Sequence, residues 1–211
     1  MQTDENKLVH NELADEFMET MIHGMVVSNI AHLVGKELNL STEELRKVCL
    51  AGMVHDIGKL KINSYRKYQH RSMQIDEMRY MRTHPTLGYA VLTEKEFEPE
   101  ICQAVLYHHE NYDGSGYPAN LCGDEIPFIA RVIHVCDVFS ALISSRIYRK
   151  AFDIDTAIEI MIDEVRHFDM RIFLAFQRIA QSREMIFALG NLSSFTREQF
   201  HYEYDKGNED N

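Results

Sequence analysis

The chain has 211 residues and a mass of 24.6 kDa, 45% hydrophobic and 26% charged, enough for one domain with a core and a short appendage. Its 22 Lys+Arg against 33 Asp+Glu give a formal charge of −11, which argues against general binding to DNA, RNA or an anionic membrane, all of which need a basic surface. No apolar run reaches the length of a membrane span, and the acidic, polar start MQTDENKLVHNELADE is not a secretory signal.

The pattern is helical almost throughout. Phe17, Met21, Ile22, Met25, Val26, Ile30 and Leu33 recur at three- and four-residue steps. Ser41-Thr-Glu-Glu44 is a capping box opening the next helix, which continues through Leu45, Val48 and Cys49 toward His55. Pro85, Pro99 and Pro127 each precede an apolar-periodic stretch, where proline suits a first helical turn. Two more helices are expected from Asp153 to about Val165 and from Asp169 to about Leu189, with Phe173, Phe176 and Phe187 read as core filler. Residues 60–75 are mixed and poorly periodic, and residues 110–126, with Gly114, Gly116, Pro118 and Gly123, read as a loop. No two-residue alternation is sustained. The expected fold is all-α, a single bundle of roughly seven or eight helices over residues 15–190. Residues 1–14 read as an N-terminal extension and 191–211 as a polar tail. Cys49, Cys102, Cys122 and Cys136 form no CxxC pair, which fits reduced thiols in a cytoplasmic protein better than a disulfide frame.

The histidines carry the chemistry. His55-Asp56 follows an apolar helix, and both can reach one cation if the helix turns there. Alone, that pair reads as a capping Asp beside a satisfied His. The surroundings change the balance. His84 stands at a helix start, His108-His109 end the following helix, and Asp137 lies inside the apolar run IARVIHVCDVFSAL. A buried ionised carboxylate is costly unless paired or bound to metal. Such a His/Asp set suits divalent metals, and two ions sharing a carboxylate form a site for hydrolysing phosphate esters. His23 sits near the inward face of the first helix, with Glu19 one turn earlier as a candidate ligand to an extra ion.

In this order, His23, His55-Asp56-Ile-Gly-Lys59, His84, His108-His109-Glu110, Asp113-Gly-Ser-Gly-Tyr117-Pro118 and Asp137 resemble the HD-GYP family. This is the branch of the HD phosphohydrolases associated with bacterial cyclic di-GMP signalling, and the resemblance covers roughly residues 15–180. It implies a compact helical bundle with two or three divalent metal ions, often iron or manganese. The implied activity is hydrolysis of cyclic di-GMP to pGpG and onward to GMP. The implied metal ligands are His23, His55, Asp56, His84, His108, His109 and Asp137, with Asp56 bridging and Glu19 matching the position that supports a third ion. Lys59 would reach the scissile phosphate, and Arg146 and Arg149 would contact substrate phosphates, as guanidinium–phosphate pairing allows. Arg146 and Arg149 lie nine and twelve residues beyond Asp137 and are expected on its element. Tyr117 would stack on a guanine base or brace its loop. Diguanylate cyclases or sensor proteins acting in trans are the implied partners. The same chemistry on another cyclic dinucleotide and a non-catalytic binding module are the competing readings. The sequence departs from the family pattern between Lys59 and His84, which lacks the usual proline and glycine. It also departs at Ser140, where an acid is common, and at Ile147 and Met170, where proline is common.

Overall fold

A computed structural model of the chain describes the backbone of residues 2–66, 79–144 and 150–193, and the side chains of 17–62, 79–144 and 150–189. Nine α-helices run through these residues: α1 (Gln2–Glu37), α2 (Thr42–Val54), α3 (Gly58–Arg66), α4 (His84–Glu94), α5 (Pro99–Tyr107), α6 (Phe128–Ile143), α7 (Ile154–Asp163), α8 (Met170–Ile179) and α9 (Arg183–Ser193). Short 3-10 turns stand at Gly123–Glu125 and Val165–His167, and no strand occurs among the described residues.

The helix ends follow local chemistry. The Ser41 hydroxyl accepts the Glu44 N–H at 3.3 Å, and the Glu44 carboxylate accepts the Ser41 N–H at 2.8 Å, closing the expected capping box. Pro85 and Pro99 stand in the first turns of α4 and α5, and Pro127 precedes α6. The region 110–126 is the expected loop.

α6 is the axis of the bundle. Val132 through Asp137 are all buried, so this helix has no solvated face and neighbours must surround it. α1 packs on α2, α6, α8 and α9, while α5 bridges α6 to α4, and α4 leans on α3. The core joins Ile30 and Val34 of α1, Ile101 and Val105 of α5, Ile133 and Phe139 of α6, and Phe173 and Phe176 of α8. Phe139 meets Phe176 edge-on at 4.7 Å, and truncating such a ring to alanine costs about 3–5 kcal/mol. At the α1–α2 crossing Gly24 lies against the Met53 carbonyl, where an added Cβ would stand at 2.3 Å from the oxygen. That approach brings His23 beside His55.

Two expectations need correction. The stretch 169–189 is two helices, not one, because the chain turns at Ala180–Ser182 and the Ser182 hydroxyl accepts the Met185 N–H at 3.1 Å, capping α9. Apolar periodicity continues across that turn and hides it. Phe187, grouped with Phe173 and Phe176 as core, is 69% exposed. The helix carrying Asp137 ends at Ile143, with Ser144 extended, and the two arginines expected on its element are Arg146 and Arg149. They lie outside the described residues, as do residues 67–78 of the atypical segment, whereas residues 60–66 belong to α3.

Candidate metal centre

Each candidate ligand reaches the centre from a helix end or an inward helix face. His55 and Asp56 occupy the turn between α2 and α3, where the chain bends as the sequence reading requires. His84 opens α4, His108 closes α5 with His109 next to it, Asp137 projects from the middle of α6, and His23 from α1. All but His23 and His109 are nearly or fully buried.

The backbone fixes which ring nitrogen faces inward. The Nδ1–H groups of His55, His84 and His108 donate to the carbonyls of Gly52, Met81 and Val105 at 2.8, 2.8 and 2.7 Å. With Nδ1 the donor, each Nε2 presents a lone pair to the interior. His84 Nε2 lies 3.2 Å from both His108 Nε2 and His109 Nε2, and the His84 and His108 nitrogens face each other as acceptors with no donor between them. His55 Nε2 and Asp56 Oδ1 are buried without a hydrogen-bond partner. Buried orphan acceptors are destabilising unless a cation or donor satisfies them. The donor set of imidazoles and carboxylates therefore fits divalent metal.

The ligand atoms fall into groups. His84, His108 and His109 form one, His23, His55 and Asp137 a second, and His55, Asp56 and His108 a third, with ligand atoms in each within 4.8 Å of one another. Asp56 spans them. Its Oδ1 faces His84 Nε2 at 3.2 Å and His108 Nε2 at 4.0 Å, while its Oδ2 faces His55 Nε2 at 3.3 Å and His23 Nε2 at 3.7 Å. Asp137 Oδ1 lies 2.9 Å from His23 Nε2 and 3.7 Å from His55 Nε2. Ser140, where an acid was expected, puts its hydroxyl 3.2 Å from His23 Nδ1 and so orients that ring. Lys59 closes the edge with its ammonium directly on Asp56 Oδ2.

Electrostatics keeps His108, His109 and both aspartates in binding form. Burial and the neighbouring histidines push His108 well below the usual imidazole range, and burial takes His109 down to about 3, so both are neutral at pH 7. Burial would raise the two aspartates, but His55 and Lys59 hold Asp56 ionised, and His23 and His55 do the same for Asp137. Burial pulls His55 down too, yet the charges of Asp56 and Asp137 outweigh it and lift it to about 10.

The other sequence candidates are placed as follows. Glu19 is exposed one turn before His23 and belongs to none of the three ligand groups. Tyr117 stacks on His109, ring centroids 4.8 Å apart and planes 23° apart, with the Arg82 guanidinium over the same ring at 5.2 Å. Of the loop glycines, Gly114 needs a left-handed backbone at φ 83°, whereas Gly116 is required by contact, since a Cβ would stand 2.2 Å from the Asn111 amide nitrogen. Two residues outside the ligand set, Glu110 and His134, support it. The fully buried Glu110 carboxylate accepts the Ala119 and Leu121 N–H groups at 2.6 and 3.1 Å, pinning the Tyr117 loop beside His109. Buried His134 donates from Nδ1 to the His108 carbonyl at 3.0 Å. Their signal was present only as a Glu after two histidines and a His three residues before Asp137.

The HD domain family model matches residues 7–172. This chain belongs to the HD domain family. The HD-GYP resemblance drawn from its motifs stands beside that match. Over 144 residues it is 40% identical to the cyclic di-GMP phosphodiesterase response regulator RpfG of Xanthomonas campestris, covering 67% of this chain and 36% of that protein. It is 34% identical over 148 residues to the 3'3'-cGAMP-specific phosphodiesterase 1 of Vibrio cholerae, covering 69% and 34%. The chain thus spans about a third of the length of these two curated relatives. In fold it is similar to an HDG"Y"P protein from Bdellovibrio bacteriovorus, with TM-score 0.61 at 18% identity, over 77% of this chain and 53% of that one.

Proposed function

We propose that this HD domain is a metal-dependent phosphodiesterase that opens cyclic di-GMP to pGpG and carries it on to GMP. The observation that carries the reading is one buried carboxylate, Asp56, whose two oxygens face two separate sets of inward-aimed imidazoles, with Lys59 at its edge. His23, His55 and Asp137 would hold one divalent ion and His84, His108 and His109 another, with Asp56 shared between them. Glu19 stands in reserve for a third. We propose iron or manganese, which imidazole–carboxylate sites suit. When bound, such ions supply Lewis acidity toward phosphate oxygens and acidify a water toward neutral pH.

The protein's own groups do the rest. Ionised Asp56 and Asp137 balance the cationic charge in a dry site, and the Nδ1 hydrogen bonds hold the imidazoles in one orientation. The Lys59 ammonium, 30% exposed, stands where a phosphodiester entering the cluster meets it and offsets charge building on the phosphate. Tyr117 braces His109 with its ring, which supports the bracing role over base stacking. Arg146 and Arg149 remain proposed phosphate contacts. The four cysteines are free thiols, which supports a cytoplasmic site of action. A second reading keeps the chemistry and changes the base, as the name of the Vibrio relative suggests for 3'3'-cGAMP.

The test is turnover by anaerobically purified protein given ferrous or manganous ions, with products separated by chromatography and metal measured on the same sample. Linear dinucleotide or GMP appearing only with metal is expected. Asp56→Ala abolishes both metal loading and turnover. Full activity in that variant, or no product from protein holding two ions, overturns the reading.

A further inference from the structure

Arg82 stands two residues before His84 at the mouth of the centre, with an exposed side chain. Most arginines with assigned contacts in this acidic chain are tied to carboxylates: Arg46 to Glu43 and Glu98, Arg131 to Asp124 and Asp169, Arg178 to Glu37. Among the described residues Arg82 meets no carboxylate. Its partner is the face of Tyr117, which lies against the proposed metal ligand His109. A guanidinium held over a ring face is positioned by it while its N–H groups stay available to another partner. The two ring separations put this fork at most about 10 Å from the His109 ring.

A cyclic dinucleotide carries two phosphodiesters on opposite sides of one macrocycle. When one is at the metal centre, the other is displaced to the side, over a protein whose net charge is −11. That second anion is repelled unless a cation meets it. We infer that Arg82 is a substrate-binding residue that grips, through its N–H fork, the phosphodiester that is not being cut, with Tyr117 setting its distance from His109. This rests on the cyclic dinucleotide reading above. It makes the Arg82–Tyr117 pair a device for telling a two-phosphate substrate from a simple diester, distinct from Lys59, which faces Asp56.

The experiment compares wild type, Arg82→Met and Arg82→Lys on cyclic di-GMP and on bis(p-nitrophenyl) phosphate, which has a single diester, with metal content measured throughout. Arg82→Met is expected to raise KM for cyclic di-GMP about ten-fold, the scale of one charge-assisted contact. Its kcat, metal content and kinetics on the simple diester stay at wild-type values, and Arg82→Lys falls between. An unchanged KM for cyclic di-GMP overturns the assignment. So does an equal loss on both substrates or a loss of metal, either of which makes Arg82 a brace for Tyr117 and His109. A wild type that cleaves the simple diester but no cyclic dinucleotide overturns the functional reading itself, and the assignment with it.

Discussion

Gly58→Ala places one methyl group between two helix ends that carry ligands. α3 begins at Gly58, two residues after Asp56, and α4 begins at His84. A Cβ on Gly58 would stand 2.0 Å from the His84 carbonyl oxygen and 2.7 Å from the Gly88 amide nitrogen. Both are backbone atoms, so no side chain can swing away and the helices themselves must part. Reaching even 3.0 Å from the oxygen requires an opening of about 1 Å. His84 Nε2 is 3.2 Å from Asp56 Oδ1, and metal–ligand distances tolerate only about 0.2 Å. The displacement is thus about five times what the site allows. Overpacking of this kind costs about 1–3 kcal/mol, or about 2–12 °C in Tm for a chain this long. A 1 Å error in a reacting geometry costs about a hundred-fold in rate. The expected result is reduced metal content by mass spectrometry, kcat down about a hundred-fold, and a modest fall in Tm by calorimetry. Gly35→Ala is the control. Its Cβ meets only the side-chain ends of Leu45 and Leu40, and alanine gains up to about 1 kcal/mol in helix propensity. Metal content and turnover at wild-type level in Gly58→Ala would refute the claim that α3–α4 contact sets the ligand geometry.

Glu110→Gln removes a buried charge that accepts two loop N–H groups, so urea unfolding should show a loss of about 2–3 kcal/mol, and an unchanged midpoint means those bonds contribute nothing. Ser41→Ala breaks the capping box of α2, and a loss of about 1 kcal/mol by the same method is expected with kcat intact; a fall in kcat would mean the α2 start reaches the centre. Manganous ion at a hundred times its dissociation constant stabilises the fold by about 2.7 kcal/mol, read as a rise in Tm, and the shift is lost in Asp56→Ala. No rise in the wild type would separate the cluster from metal binding.

Much of the centre was legible because its ligands sit at helix boundaries, which sequence marks well. The turn after Val54, the proline beside His84 and the end of α5 at His108 all follow from local signals. What joins them did not. His23 and Asp137 are 114 residues apart, and only the packing of α1 on α6 brings them to 2.9 Å. The two-sided placement of Asp56 and the Arg82–Tyr117–His109 stack are tertiary facts with no spacing rule behind them. Counting aromatics misplaced Phe187 because composition does not say which helix face meets the core.

The imidazoles of His55, His84 and His108 each bond to the carbonyl three residues behind them. A helix terminus leaves its last carbonyls without N–H partners: Gly52 and Val105 lie in the last turns of α2 and α5, Met81 ends the helical residues 79–81, and in each case the ring supplies the missing donor. One nitrogen therefore finishes a helix while the other serves the cluster. Each of these three ligands is aimed by a hydrogen bond within its own segment, not by a tertiary contact. It also couples two kinds of damage. Alanine at any of these positions both empties the centre and frays a terminus, so a drop in activity there mixes chemistry with unravelling. Asparagine, whose amide can still reach the carbonyl, separates the two.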